Sequence, residues 1–138
     1  MVQIILGGKG IGKTKIIIDM ANKSAQTNHG NVVFIDDDSR YIYDIHHSVR
    51  FINAGEYGIN GKNQFLGFIC GILSGNYDID AIYIDGFLKI ANDDMSTMEP
   101  FFASIEKLSE RYNVDFIFSI GCASSAAPEF LKKYVKKQ

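Results

Sequence analysis

Five short runs of β-branched and aromatic residues divide the chain, at 2–6, 31–35, 49–52, 81–84 and 114–118. Each is apolar at nearly every position instead of alternating with polar residues, so both faces must be covered, as in a parallel sheet held between helix layers. Helical spacing fills the intervals. The first such stretch, from Lys13 to about Asn28, puts Ile16, Ile17, Met20 and Ala21 on one face, and Gly30 follows as a stop. The second, from about Asn63 to Leu73, carries the stripe Phe65, Leu66, Ile69, Cys70 and Leu73, with Gly75 just beyond. The third starts between Ser96 and Pro100 and ends near Tyr112, burying Phe101, Phe102, Ile105 and Leu108. Ser96 and Glu99 fit a capping box, with Pro100 as the alternative marker of the first turn. A fourth helix is expected from Pro128 into Lys137. This alternation predicts an α/β fold: a three-layer sandwich around a mostly parallel five-stranded sheet with right-handed crossovers, one domain over 1–138.

Length and composition narrow the classes. A chain of 138 residues can bury roughly two-thirds of its unfolded surface. With 46% hydrophobic and 22% charged residues it has the balance of an ordinary globular protein, which excludes a disordered or low-complexity chain. A net charge of -2 gives no global attraction to nucleic acid or an anionic membrane, so nucleic acid is not expected as a partner. The basic tail at Lys132, Lys133, Lys136 and Lys137 suits the C-terminus of a helix, where cations are favoured. No apolar run approaches the roughly 20 residues of a transmembrane segment, and the first residues lack a signal peptide's basic start and apolar core. A cytoplasmic protein is expected. Cys70 and Cys122 sit among apolar residues with no CxxC spacing, which predicts buried, reduced thiols. His46 and His47 are adjacent and diverge on any regular element, so they are not expected to bind metal.

The strongest chemical signal follows the first strand. Gly7-Gly8-Lys9-Gly10-Ile11-Gly12-Lys13-Thr14 fits GxxxxGK[ST], the Walker A phosphate loop, and it stands between a strand and an amphipathic helix. The glycines reach backbone angles closed to other residues and turn their N–H groups toward phosphate oxygens, making a nest for anions. Lys13 is expected on the β- and γ-phosphates, the Thr14 hydroxyl on Mg²⁺, and the helix N-terminus adds partial positive charge. Lys9 and Ile11 line the loop, Lys9 reading best as a solvated cation.

A carboxylate is needed opposite Thr14. The run Ala81-Ile82-Tyr83-Ile84-Asp85 ends a strand in an aspartate at the sheet's carboxyl edge, where it would hold Mg²⁺. Many ATPases follow that aspartate with a glutamate that polarises water, but here Gly86 follows. Asp36-Asp37-Asp38 ends another strand, and three consecutive acids repel one another unless a metal, an arginine or bulk water compensates them. Asp38 is a candidate for orienting the attacking water, with a solvated acidic turn or an N-cap as the plainer alternative. Tyr41 and Tyr43 are candidates for stacking on adenine.

With these residues in view, the sequence resembles the RecA and KaiC-like branch of P-loop NTPases. The resemblance spans about residues 1 to 120. It matches Phe34-Ile35-Asp36-Asp37-Asp38 to the acidic stretch that carries the family's catalytic glutamate, and Ala81 to Asp85 to the Mg²⁺ strand. It also implies that Ser119, closing Val114-Asp115-Phe116-Ile117-Phe118-Ser119, reads the γ-phosphate. The base position holds an aspartate, one methylene shorter than the family's glutamate, and the DNA-binding loops of recombinases are missing. Relatives complete their sites across a subunit boundary, so a homo-oligomer and a separate protein partner both stand as expectations.

The expected function is therefore ATP binding with Mg²⁺. A slow ATPase using Lys13, Asp38 and Ser119 is the first reading, and a nucleotide-dependent interaction module with little turnover is the second. The chain has neither NKxD nor DxxG after the Mg²⁺ strand, which disfavours guanine nucleotides. Its only arginines, Arg40, Arg50 and Arg111, supply no arginine-bearing lid, which disfavours a small-molecule kinase.

Overall fold

The computed structural model describes residues 1–8, 12–27 and 30–135. Lys9, Gly10 and Ile11 of the loop, the helix end expected at Asn28, and Lys136 and Lys137 of the tail lie outside the described residues. Strands β1 (Val2–Leu6), β2 (Asn31–Asp36), β3 (Arg50–Asn53), β4 (Ile79–Ile84) and β5 (Asp115–Ile120) form one sheet in the order β1-β5-β4-β2-β3. Every pairing is parallel. Four α-helices accompany it among the described residues: α1 (Lys13–Thr27), α2 (Lys62–Gly75), α3 (Phe87–Ala91) and α4 (Glu99–Tyr112).

Successive strand residues point to opposite faces, and the continuous apolar runs serve both. Val33 and Ile35 of β2, Ile82 and Ile84 of β4, and Phe116 and Phe118 of β5 enter one core with α2, α3 and α4. Val32 and Phe34, Ala81 and Tyr83, and Ile117 enter the other with α1. Topology decides which helix covers which face. The chain steps outward from β1 to β2 and back inward from β3 through β4 to β5, and right-handed crossovers put outward and inward connections on opposite faces. The larger core is dense in rings: Phe87 packs within 5.1 to 5.5 Å, centroid to centroid, of Phe101, Phe102 and Phe118.

Several local expectations change. Helix α1 buries Ile17, Ile18 and Ala21, while Ile16 and Met20 are half-buried at the rim, so its inward face lies about one position from the predicted one. Cys70 is exposed on the outer side of α2 and Cys122 is half-buried; both thiols are free. Asp94 caps a short 3₁₀ turn by accepting from the Ser96 N–H, and Pro100 occupies the first turn of α4, so the Ser96–Glu99 box does not form. The final segment is a 3₁₀ helix, Glu129–Tyr134, and not an α-helix. Its buried residues, Leu131 and Tyr134, are three apart, which matches three residues per turn. Val135 then pairs with Ile4 beside the edge strand β1.

Candidate functional site

Because all strands run the same way, their carboxyl ends gather at one edge. Leu6 leads there into Gly7 and Gly8, Ile84 into Asp85, and Ser119 sits one residue before the end of β5. Strand β5 lies between β1 and β4, so the strand leading to Gly7 and the strand leading to Asp85 are separated by the strand that carries Ser119.

Two side chains meet on Asp85. The Thr14 hydroxyl donates to Oδ2 at 3.1 Å, and the Ser119 hydroxyl donates to Oδ1 in a short hydrogen bond. Asp85 and Ser119 are only 8% and 3% exposed, so the carboxylate is fixed by burial and by both hydroxyls, while its own N–H donates to the Ile35 carbonyl at 2.9 Å. Lys13 and Thr14 open α1, where the backbone N–H groups lack helical partners. Lys13 Nζ reaches the Gly8 carbonyl at 3.4 Å and lies near Gly121 across the opening. Gly12, at φ +77°, sits in the left-handed region open to glycine. A cleft of about 270 Å³ is bounded by Lys13, Thr14, Asp85, Lys89, Ser119 and Gly121.

The acidic run lies one strand away, at the end of β2, and its three members differ. Asp36 is 2% exposed. Its Oδ1 accepts from the Asp37 N–H at 2.8 Å, and its Oδ2 has no hydrogen-bond partner among the described residues. Burial above all, then the Asp37 carboxyl and the Asp85 charge, push the Asp36 carboxyl up to about 8. Asp37 leans over Gly86, with Lys89 Nζ 3.9 Å from its Oδ2. Asp38 turns outward: it accepts from the Arg40 N–H at 2.9 Å and pairs with the Arg40 guanidinium at 3.2 Å. Those contacts, the backbone N–H foremost, hold its carboxyl below the usual range. Asp38 therefore does not line the cleft that joins Lys13, Thr14, Asp85 and Ser119.

The sequence reading missed α3. It follows Asp85 through Gly86, whose φ of +68° bends the chain out of β4, and it ends at Asn92, also in the left-handed region. The signal was present in Phe87, Ile90 and Ala91 at helical spacing between a glycine and an asparagine. A second cavity, of about 470 Å³, opens beside Thr14 and includes Ile18, Asn22, Tyr41 and Asp44. Tyr43 is fully exposed and outside it.

Asp36 makes the free protein sensitive to pH. Its folded-state value is raised above the ordinary 3.8, so its contribution to stability is complete below that value and is lost as pH rises toward 8. In metal-free buffer the melting temperature should fall between pH 5 and 8. Asp36→Asn should flatten that decline and, above pH 8, stabilise the protein by on the order of 1 to 2 kcal/mol, read by thermal melting across the series. An unchanged slope in the variant would assign the pH response to another group.

Fold and site geometry define a layered α/β core around an all-parallel five-stranded sheet, with hydroxyl, carboxylate and ammonium groups converging at the carboxyl edge. The crystal structure of the flagellar accessory protein FlaH from Methanocaldococcus jannaschii matches it with a TM-score of 0.63 at 14% sequence identity. The match covers 96% of this chain and 65% of that one, so this chain spans less than two thirds of its neighbour. At that identity the likeness shows the fold alone. No protein-family model and no curated protein matches the sequence. Among the described residues, no helix is long and apolar enough to cross a membrane.

Proposed function

We propose that this chain binds ATP with Mg²⁺ at the cleft between the start of α1 and the ends of β4 and β5. The observation that carries the proposal is the convergence of the Thr14 and Ser119 hydroxyls on a buried Asp85, with the Lys13 ammonium across the same cleft. Hard oxygen donors of this kind, a hydroxyl beside a carboxylate, suit Mg²⁺, which keeps several waters and takes few protein ligands alongside phosphates. In this reading Thr14 and Asp85 hold the metal, Lys13 meets the β- and γ-phosphates, and Ser119 orients Asp85 and reads the γ-phosphate. The backbone N–H groups that open α1 at Lys13 and Thr14 meet the phosphates. The cavity beside Thr14, with Tyr41 on its wall, is of a size suited to the nucleoside.

Two observations favour a nucleotide-dependent interaction module over an efficient ATPase. Gly86 stands where a glutamate would follow Asp85, and Asp38 is held away by Arg40. A general base must come within hydrogen-bond reach of the attacking water, so little turnover is expected from this arrangement. Asp38→Ala is accordingly expected to leave phosphate release within about twofold of wild type, whereas removal of a working general base costs roughly 100-fold or more. A tenfold or greater drop would make Asp38 the water-positioning residue and the protein a slow ATPase. A cytoplasmic setting and a partner, either a second copy or another protein, belong to the same proposal.

A further inference from the structure

The charges at the end of β2 are unevenly matched. Asp38 has Arg40 at 3.2 Å, and Asp37 has Lys89 at 3.9 Å. Asp36 has neither, although it is the most buried of the three and one of its oxygens lacks a partner among the described residues. A buried polar atom left without a hydrogen bond is costly, and such exceptions mark strain, a catalytic role or an unplaced ion. One carboxylate oxygen from each of Asp36, Asp37 and Asp38 lies within 4.8 Å of the other two. That spacing suits a hard cation, whose oxygen ligands at about 2.1 to 2.5 Å are separated by no more than about 5 Å across the ion.

We infer that the end of β2 holds a divalent cation of its own, bound by the carboxylates of Asp36, Asp37 and Asp38 in the absence of nucleotide. The inference goes beyond the nucleotide reading and does not depend on it. Thr14 and Asp85 offer one hydroxyl and one carboxylate, already bonded to each other and to Ser119, and a site so small needs phosphate oxygens to complete it. The β2 site offers three carboxylates and needs none. It also answers an electrostatic problem at this edge. The acids of Asp36, Asp37 and Asp38 lie close together, and a resident cation offsets their mutual repulsion. Lys89 is no obstacle, because its side chain is largely exposed and can swing away.

The test is a titration of nucleotide-free protein with Mn²⁺, free ion being read by electron paramagnetic resonance. Wild type should bind one Mn²⁺ with a dissociation constant below about 1 mM. Asp36→Asn and Asp37→Asn should each weaken that binding at least tenfold, with circular dichroism confirming that both variants are folded. Thr14→Ala should leave it unchanged. No binding at millimolar Mn²⁺, equal binding in both asparagine variants, or loss in Thr14→Ala would overturn the inference. Repeating the titration with ATP separates the two proposals. If Mn²⁺ binds only when ATP is present, the β2 site is refuted and the nucleotide site stands. If Mn²⁺ binds alone and ATP never does, the β2 site stands and the nucleotide reading falls.

Discussion

Replacing Lys13 with alanine is expected to remove the stabilisation that Mg·ATP gives the wild-type protein while leaving the free protein nearly as stable as before. Ligand at 100 times its dissociation constant adds about 2.7 kcal/mol, which for a domain of this size raises the melting temperature by roughly 6 to 12 °C. Lys13 contributes through charge-assisted hydrogen bonds to two phosphates. Each such bond is worth about 1.5 to 3 kcal/mol, so truncation should weaken binding by a factor on the order of 100. At the same nucleotide concentration the increment then falls to about 0.4 kcal/mol, and the shift to about 1 or 2 °C. In the free protein Lys13 makes one hydrogen bond among the described residues, at 3.4 Å to the Gly8 carbonyl, so little folded-state stability is at stake. An unchanged ATP shift in the variant would detach the ammonium from the ligand.

The second large effect concerns Gly86, and it is a stability effect. Its φ of +68° lies in the left-handed region, which costs an L side chain about 1 to 2 kcal/mol. A Cβ there would also stand 2.2 Å from Asp37 Oδ1 and 2.9 Å from its Cγ, forcing that carboxylate off its position between Gly86 and Lys89. Gly86→Ala should therefore cost about 2 to 3 kcal/mol, a fall in melting temperature of roughly 6 to 12 °C. The two causes separate in a double-mutant cycle. In an Asp37→Ala background the backbone cost and the lesser approach to Asp36 Oδ1, at 3.2 Å, should persist, so the penalty should drop by about 1 kcal/mol. Equal penalties in both backgrounds would show that the close approach costs nothing. A glutamate after Asp85 would meet the same two obstacles.

Much of the fold was legible because burial on both faces leaves a mark that needs no alignment. The run Val32-Val33-Phe34-Ile35 splits between two cores, and its unbroken apolar character announced helices on both sides. Helix α1 was readable from the same periodicity, although its rotation about its axis was not, because Ile16, Ile17 and Ile18 are equally apolar and only packing chooses among them. The 3₁₀ ending and α3 were obscured for a related reason. Over five or six residues the two helical periods barely diverge, so Leu131 and Tyr134 fit either.

The site was legible in its chemistry and partly in its geometry. Thr14 and Asp85 were singled out from local sequence and Ser119 by the family resemblance, and the sheet brings them together although 71 and 34 positions separate Thr14 and Ser119 from Asp85. The division of labour within Asp36-Asp37-Asp38 was not readable. Neighbouring strand residues face opposite ways, and beyond the strand the turn closed by the Arg40 N–H sends Asp38 toward solvent. Sequence offered three equivalent acids. The fold makes one buried, one packed on Gly86 and one paired with arginine.

The most direct measurement is a crystal structure of the protein grown with Mg²⁺ and a non-hydrolysable ATP analogue. The account predicts the β- and γ-phosphates within hydrogen-bond reach of Lys13 Nζ, the Thr14 hydroxyl on the metal, and Asp85 beside it. A nucleotide bound elsewhere, or a cleft that excludes phosphate at millimolar analogue, would contradict it.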